Sequence, residues 1–174
     1  DKPDLRFGME ITDLTEVVKD VDFKVFQSAI EIGGSVRALC LKGGASMGRK
    51  DVDRLGEFVK TYKAKGLAYI QLKEEGIKSP IAKFLKEEEM NAIIEKMGAE
   101  TGDIILIVGD KNSVVFQSLG ALRLELAKKY DLIKDKNEFN FCWITEFPLF
   151  EYDEEENRYT ACHHPFTAPM DEDL

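Results

Sequence analysis

Apolar residues recur along this chain in two rhythms, and each rhythm predicts a different element. Val52, Leu55, Phe58, Val59 and Tyr62 return every three or four positions, the spacing that lines one face of an α-helix, and Gly66 is placed to stop it. Met90, Ile93, Ile94 and Met97 predict a second helix closing at Gly98, and Val115, Leu119, Leu122 and Leu126 a longer third one. Two stretches, Ser35 to Leu41 and Asp103 to Val108, are rich in apolar residues without that period, as strands buried on both faces are. Leu67 to Leu72 predicts a further strand, and Ser79-Pro80 opens a short helical turn through Leu85. Asp13 and Glu16 give a helix-start signature, so Leu14, Val17 and Val18 predict a short helix, with Lys24-Val25-Phe26 following as a strand. Lys42-Gly43-Gly44-Ala45-Ser46-Met47-Gly48-Arg49 predicts a flexible loop. Beyond Asn140, Phe141, Trp143 and Thr145 alternate with Cys142, Ile144 and Glu146, and the pattern resumes at Arg158 to Cys162 after Asp153-Glu154-Glu155-Glu156. That predicts a β-hairpin with an acidic tip.

These elements group into three parts. Residues 1–22 open without any period and read as a connector; residues 23–134 hold several strands and amphipathic helices, enough for a self-contained two-layer α/β domain; residues 135–174 carry the hairpin. The expected class is α+β.

Composition narrows the setting. With 174 residues, 44% of them hydrophobic, the chain can build one sizeable core. No run of 18 apolar residues and no signal-like N-terminus is present, so the expectation is a cytoplasmic protein without a membrane segment. Cys40, Cys142 and Cys162 are odd in number and suit reduced thiols better than a disulfide framework. The net charge of −9 is uneven. Residues 146–174 hold nine acidic side chains against Arg158, whereas residues 23–134 hold nineteen basic against fifteen acidic. An acidic chain thus hides a mildly basic middle.

Candidate chemistry sits at both ends of that contrast. His163 and His164 are the two histidines of the chain, side by side after the hairpin. Read from the residues alone, backbone carbonyls that satisfy them explain the pair better than a ligand does. A zinc site with Cys142 and Cys162 is rejected, because no CxxC pair exists and adjacent histidines rarely share an ion. The glycine-rich loop lacks the spacing and the Lys-Ser/Thr ending of a phosphate-binding P-loop. Its basic residues Lys42, Arg49, Lys50 and Arg54 form either a phosphate-contacting surface or a solvated helix face, and the sequence leaves both open. The acidic turn has no calcium-loop spacing, so no metal site is expected.

Several blocks carry a resemblance. Glu146-Phe147-Pro148-Leu149-Phe150 followed by His163-His164-Pro165-Phe166-Thr167 resembles the catalytic core of bacterial-type aspartyl-tRNA synthetases, a class II family. Asp1-Lys2-Pro3-Asp4-Leu5-Arg6-Phe7 resembles a segment shortly after that family's second class-defining motif. Gly43-Gly44-Ala45-Ser46, Ala64-Lys65-Gly66-Leu67-Ala68-Tyr69, Ser79-Pro80-Ile81-Ala82-Lys83-Phe84-Leu85 and Gly120-Ala121-Leu122-Arg123-Leu124 look like its GAD insertion domain. The resemblance implies a GAD domain at 23–134 with a mainly antiparallel sheet and helices, between catalytic-core pieces at 1–22 and 135–174.

The resemblance further implies a parent enzyme that activates L-aspartate with ATP and Mg2+ and transfers it to tRNA, as a homodimer that binds no DNA. His163 would contact aspartate, with His164 in the same pocket wall, and Lys42, Arg49, Lys50 and Arg54 would face tRNA. The family's motif-two and motif-three arginines would lie outside residues 1–174, so no catalytic residue is expected in this chain and no activity from it alone. An alternative is a non-catalytic tRNA- or protein-interaction module, since a related GAD domain occurs in the glutamyl-tRNA amidotransferase B subunit.

Overall fold

A computed structural model describes residues 4–135, 137–145, 148–153 and 156–162, which belong to two compact units, 1–138 and 139–174. The first unit runs β1 (Thr12–Asp13), α1 (Lys24–Glu31), β2 (Ser35–Leu41), α2 (Arg49–Lys60), β3 (Ala68–Lys73), β4 (Gly76–Lys78), α3 (Glu87–Met97), β5 (Ile104–Asp110) and α4 (Asn112–Lys129). Its five strands form one antiparallel sheet in the order β1-β2-β5-β3-β4. The long β2–β5 pair is in register from Ser35 opposite Asp110 to Leu41 opposite Ile104.

All seven residues of β5 are buried, and that fact sets the layering. Successive side chains of a strand point to opposite faces. Ile105 and Ile107 therefore pack with Phe26 and Ala29 of α1 and Met90 and Ile93 of α3, while Ile104, Leu106 and Val108 pack with Val52, Leu55 and Val59 of α2 and with Val115, Leu119, Leu122 and Leu126 of α4. Each large aliphatic side chain so buried contributes about 2 kcal/mol. Helices consequently cover both faces. The class is α+β with an antiparallel sheet, as expected, but the layers number three rather than two, because a strand apolar on both sides needs a cover on each.

Two short elements exchange types relative to the sequence reading. The helix expected at Leu14–Val18 does not form: Thr12 and Asp13 pair with Ala38 and Arg37 at the edge of β2, and turns follow. The Thr15 N–H donates to the Asp13 carboxylate at 2.9 Å and the Leu14 N–H to the Val36 carbonyl at 2.9 Å. One turn of helix is costly to nucleate, and an open sheet edge offers backbone partners without that cost. Leu14 and Val18 still reach the core. Lys24-Val25-Phe26, read as a strand, starts α1 instead; Phe26 and Ala29 are its buried pair at i, i+3, and Phe23 meets the Phe26 ring edge-on at 4.9 Å.

In the second unit, β6 (Phe150–Asp153) pairs antiparallel with β7 (Arg158–Ala161); Glu154 and Glu155 of the expected acidic tip lie outside the described residues. The first strand of this hairpin lies later than the alternation suggested. Residues 141–145 form no strand, because the residues next to the turn close the smaller loop and Asn157, at φ +52°, turns the chain directly onto them. Among the described residues no helix is long and apolar enough to cross a membrane.

Candidate functional site

The loop between β2 and α2 carries the basic residues singled out in the sequence, and buried polar groups hold it rigid. Gly43 turns the chain with φ +71°, and Gly44–Ser46 form a short 3-10 turn leading to α2. Asp103, just before β5, is 4% exposed and lies beneath the turn. Its carboxylate accepts the Gly43 N–H at 2.9 Å, the Glu100 N–H at 2.9 Å and the Lys42 ammonium at 2.9 Å. Burial alone would raise this carboxyl; the bonds from Glu100, Lys42 and Gly43 outweigh it and hold the group below its ordinary 3.8. Gln71 of β3, also buried, donates to the carbonyls of Ala45 at 3.2 Å and Met47 at 2.8 Å. Gly44 is packed so closely that a Cβ would stand 2.4 Å from Ile104 Cγ2. The segment expected to be flexible is thus fastened from below at Lys42, Gly43, Ala45 and Met47, and the Ala45 N–H also reaches the Gly102 carbonyl at 2.8 Å.

This platform sorts the four predicted cations. Lys42 is exposed but its ammonium is held in place: it bonds Asp103 and the Gly98 carbonyl at 2.7 Å, and the Asp103 carboxylate raises its pKa. Arg49, Lys50 and Arg54 are exposed on the first turns of α2, with Lys50 and Arg54 one turn apart on the same face. Arg49 stands 3.9 Å from Asp53, and Arg54 3.7 Å from Asp51, which also meets Lys129 of α4 at 3.5 Å. Such exposed pairs contribute under about 1 kcal/mol each and yield readily to a competing anion. The geometry can offer three cations to a phosphate backbone. Cys40, the thiol of this unit, is pushed up to about 11 by burial and by the Asp103 charge.

His163 and His164 lie outside the described residues. β7 and the half-buried Cys162 lead into them, and the Cys162 N–H donates to the Leu149 carbonyl at 3.0 Å, extending the hairpin. Cys142 is exposed. Among the described residues no three His, Cys, Asp or Glu side chains gather as a metal would require. Sequence reasoning missed Gln71 and Asp103; the available signal was a lone polar residue set within or against an apolar strand, which must be hydrogen-bonded if buried.

Comparison with known proteins covers both units. The GAD domain family matches residues 26–119, more than half of the chain. All 174 residues align with an aspartate-tRNA ligase of Clostridium botulinum (strain Eklund 17B / Type B) at 81% identity, with one of Clostridium beijerinckii at 79% and with one of Clostridium acetobutylicum at 71%. The chain spans 29% of the length of each of these relatives.

Proposed function

Because the chain belongs to the GAD domain family, and its likeness to aspartate-tRNA ligases runs through all 174 residues, we propose that it is the insertion-domain segment of an aspartate-tRNA ligase together with flanking pieces of the catalytic core. The observation that carries this reading is the identity beyond the domain. A free-standing GAD module would account for residues 26–119 alone, whereas the 81% identity extends across the hairpin and the His163-His164 segment.

The ligase reaction joins aspartate to the ATP α-phosphate with loss of pyrophosphate, then passes the aspartyl group to a tRNA ribose hydroxyl. ATP with Mg2+ would supply the activated phosphate and its charge neutralisation. From this chain, His163 would donate a hydrogen bond to the aspartate side chain, adding charge attraction when protonated, with His164 beside it. Arg49, Lys50 and Arg54 would lie against the tRNA backbone, positioning it without reading sequence. Lys42 is a weaker candidate for that surface than the other three, since its ammonium is already held by Asp103. The remaining length of the relatives, more than two thirds, would supply the groups that hold ATP, so the 174-residue chain is expected to be inactive alone.

The test is aspartate-dependent ATP–pyrophosphate exchange by the full-length protein and its His163→Ala variant. Exchange in the wild type with a raised KM for aspartate in the variant supports enzyme and ligand role together. No exchange with any amino acid overturns the ligase reading and favours an interaction module, for which salt-dependent tRNA binding would then be measured.

A further inference from the structure

Arg123 of α4 takes no part in the sheet or in the basic platform, yet it gathers an unusual set of partners. Its Nε donates to the Met9 carbonyl at 2.8 Å, and Nη2 donates to the carbonyls of Asp4 at 2.5 Å and Gly8 at 2.6 Å. The guanidinium also lies over the Phe7 ring, 4.1 Å from its centroid. Every one of these partners belongs to the segment that enters the domain, more than a hundred residues away in sequence.

Three carbonyls converge on one side chain only where the backbone is bent to aim them. Gly8 and Met9 both hold left-handed conformations, φ +61° and +53°, and the Gly8 N–H closes the turn on the Leu5 carbonyl at 3.3 Å. Glycine adopts that region freely; methionine does so only when its surroundings hold it there. A second lock stands beside the first. Arg6 and Asp4 pair at 2.6 Å, and the Arg6 hydrogen bond holds the Asp4 carboxyl at about 2. Met9 and Ile11 then pack against the core shared by α2 and α4. The exit runs from the same end of the helix: a pocket of about 410 Å3 is lined by Asp4 and Phe7 of the entering segment, Leu124 and Lys128 of α4, and Ile133 just beyond it.

We propose that Arg123 is a positioning residue that locks the entering segment to α4, so that the domain and its two connections form one rigid joint, fixing the angle at which the domain meets a substrate as large as tRNA. The proposal rests on the reading of the domain as an insertion in an aspartate-tRNA ligase. Arginine suits the task because a planar fork of donors can bond several carbonyls while stacking on a ring, which a lysine ammonium on a single stem cannot reproduce. Activation of a small amino acid needs no such angle. Seating of a tRNA that spans both parts does.

The test compares the full-length wild-type protein with Arg123→Ala and Arg123→Lys. In both variants amide hydrogen exchange across residues 4–11 should rise by about ten-fold or more, while amides of β5 and the core turns of α4 keep wild-type protection. Aspartate-dependent pyrophosphate exchange should stay within about two-fold of wild type, and the KM for tRNA should rise about five-fold in Arg123→Ala, with at most partial recovery in Arg123→Lys. Unchanged protection of residues 4–11 overturns the lock; lost protection in β5 makes Arg123 a fold stabiliser instead; an unchanged tRNA KM with an opened segment overturns the positioning role. If the wild type shows no aspartate-dependent exchange, the ligase reading and the tRNA role fall together, and the amide exchange of residues 4–11 still decides whether Arg123 is the lock.

Discussion

A single carboxylate, Asp103, ties down the first residues of the loop before α2, Lys42 and Gly43. It receives two backbone N–H groups and an ammonium in a place nearly closed to water. Replacing it with asparagine leaves one acceptor oxygen and turns an NH2 group toward donors that need an acceptor. The Asp103→Asn variant should lose about 2 kcal/mol, measured by urea unfolding of the 174-residue chain. The sign of its pH dependence follows from the direction of the shift. A carboxyl held below 3.8 in the folded state contributes stability that is fully present above 3.8 and is lost as pH falls through the lower folded value. The difference in stability between wild type and variant should therefore be constant near neutrality and shrink in acid; a difference that stays flat below pH 3.8 would show that the charge on Asp103 carries no stability. Neither Asp103 nor Gln71 was legible as a clamp, because each bonds residues far away in sequence. A polar residue in an apolar strand announces that a partner exists without saying which one.

Elements were legible where one rhythm ran long enough to outweigh alternatives. α2, α3 and α4 each repeat an apolar face over three turns or more, and β2 and β5 fill seven positions, so local pattern and burial agree. Short stretches went the other way. Leu14, Val17 and Val18 could serve a helical turn or a turn beside a strand, and the open edge of β2 settled the matter. The glycines at element junctions give this a test. A Cβ on Gly34, which precedes β2, would lie 2.1 Å from the Asp110 carbonyl oxygen and 2.9 Å from that of Ala29, backbone atoms that cannot step aside. At Gly44 the obstacles are side-chain rather than backbone atoms, the Ile104 Cγ2 methyl at 2.4 Å and Leu41 Cδ2 at 2.9 Å, both in the buried core. Gly44→Ala should therefore cost about 1–3 kcal/mol by overpacking, and Gly34→Ala more than that, with the α1–β2 junction forced apart. Urea midpoints for the two variants check the order; equal losses would mean that the backbone at Gly34 relaxes as readily as a side chain.

Across the molecule, burial among the described residues is confined to the first unit. The buried apolar residues run from Leu14 to Ala127, and among the described residues after Glu138 none is buried. Phe139, Phe141 and Trp143 are exposed, Trp143 to 95%, and Tyr152 and Tyr159 of the hairpin pack on each other at 5.2 Å. A two-stranded hairpin without a third strand or a helix to cover it is marginal in water. The sequence showed this segment as apolar alternation, which identifies residues made for a sheet but not the strands that would complete it; if the chain is a ligase segment, those strands belong to the other two thirds of the protein. Two results should follow. A chain ending at Glu138 should unfold within about 2 °C of the 174-residue chain in a calorimetric scan, because the lost residues contribute little to its core. The 174-residue chain, but not the shorter one, should self-associate as its concentration rises, since a run of uncovered aromatics finds its cover in another copy. Trp143 is the one tryptophan of the chain, so its fluorescence reports the event directly. Emission should resemble water-exposed indole and be quenched by iodide in dilute solution, then shift to shorter wavelength and lose quenching as the protein is concentrated. Emission that is already blue-shifted and shielded at high dilution, together with a clear fall in the unfolding midpoint on truncation, would mean that residues 139–174 stabilise the folded chain rather than await a partner.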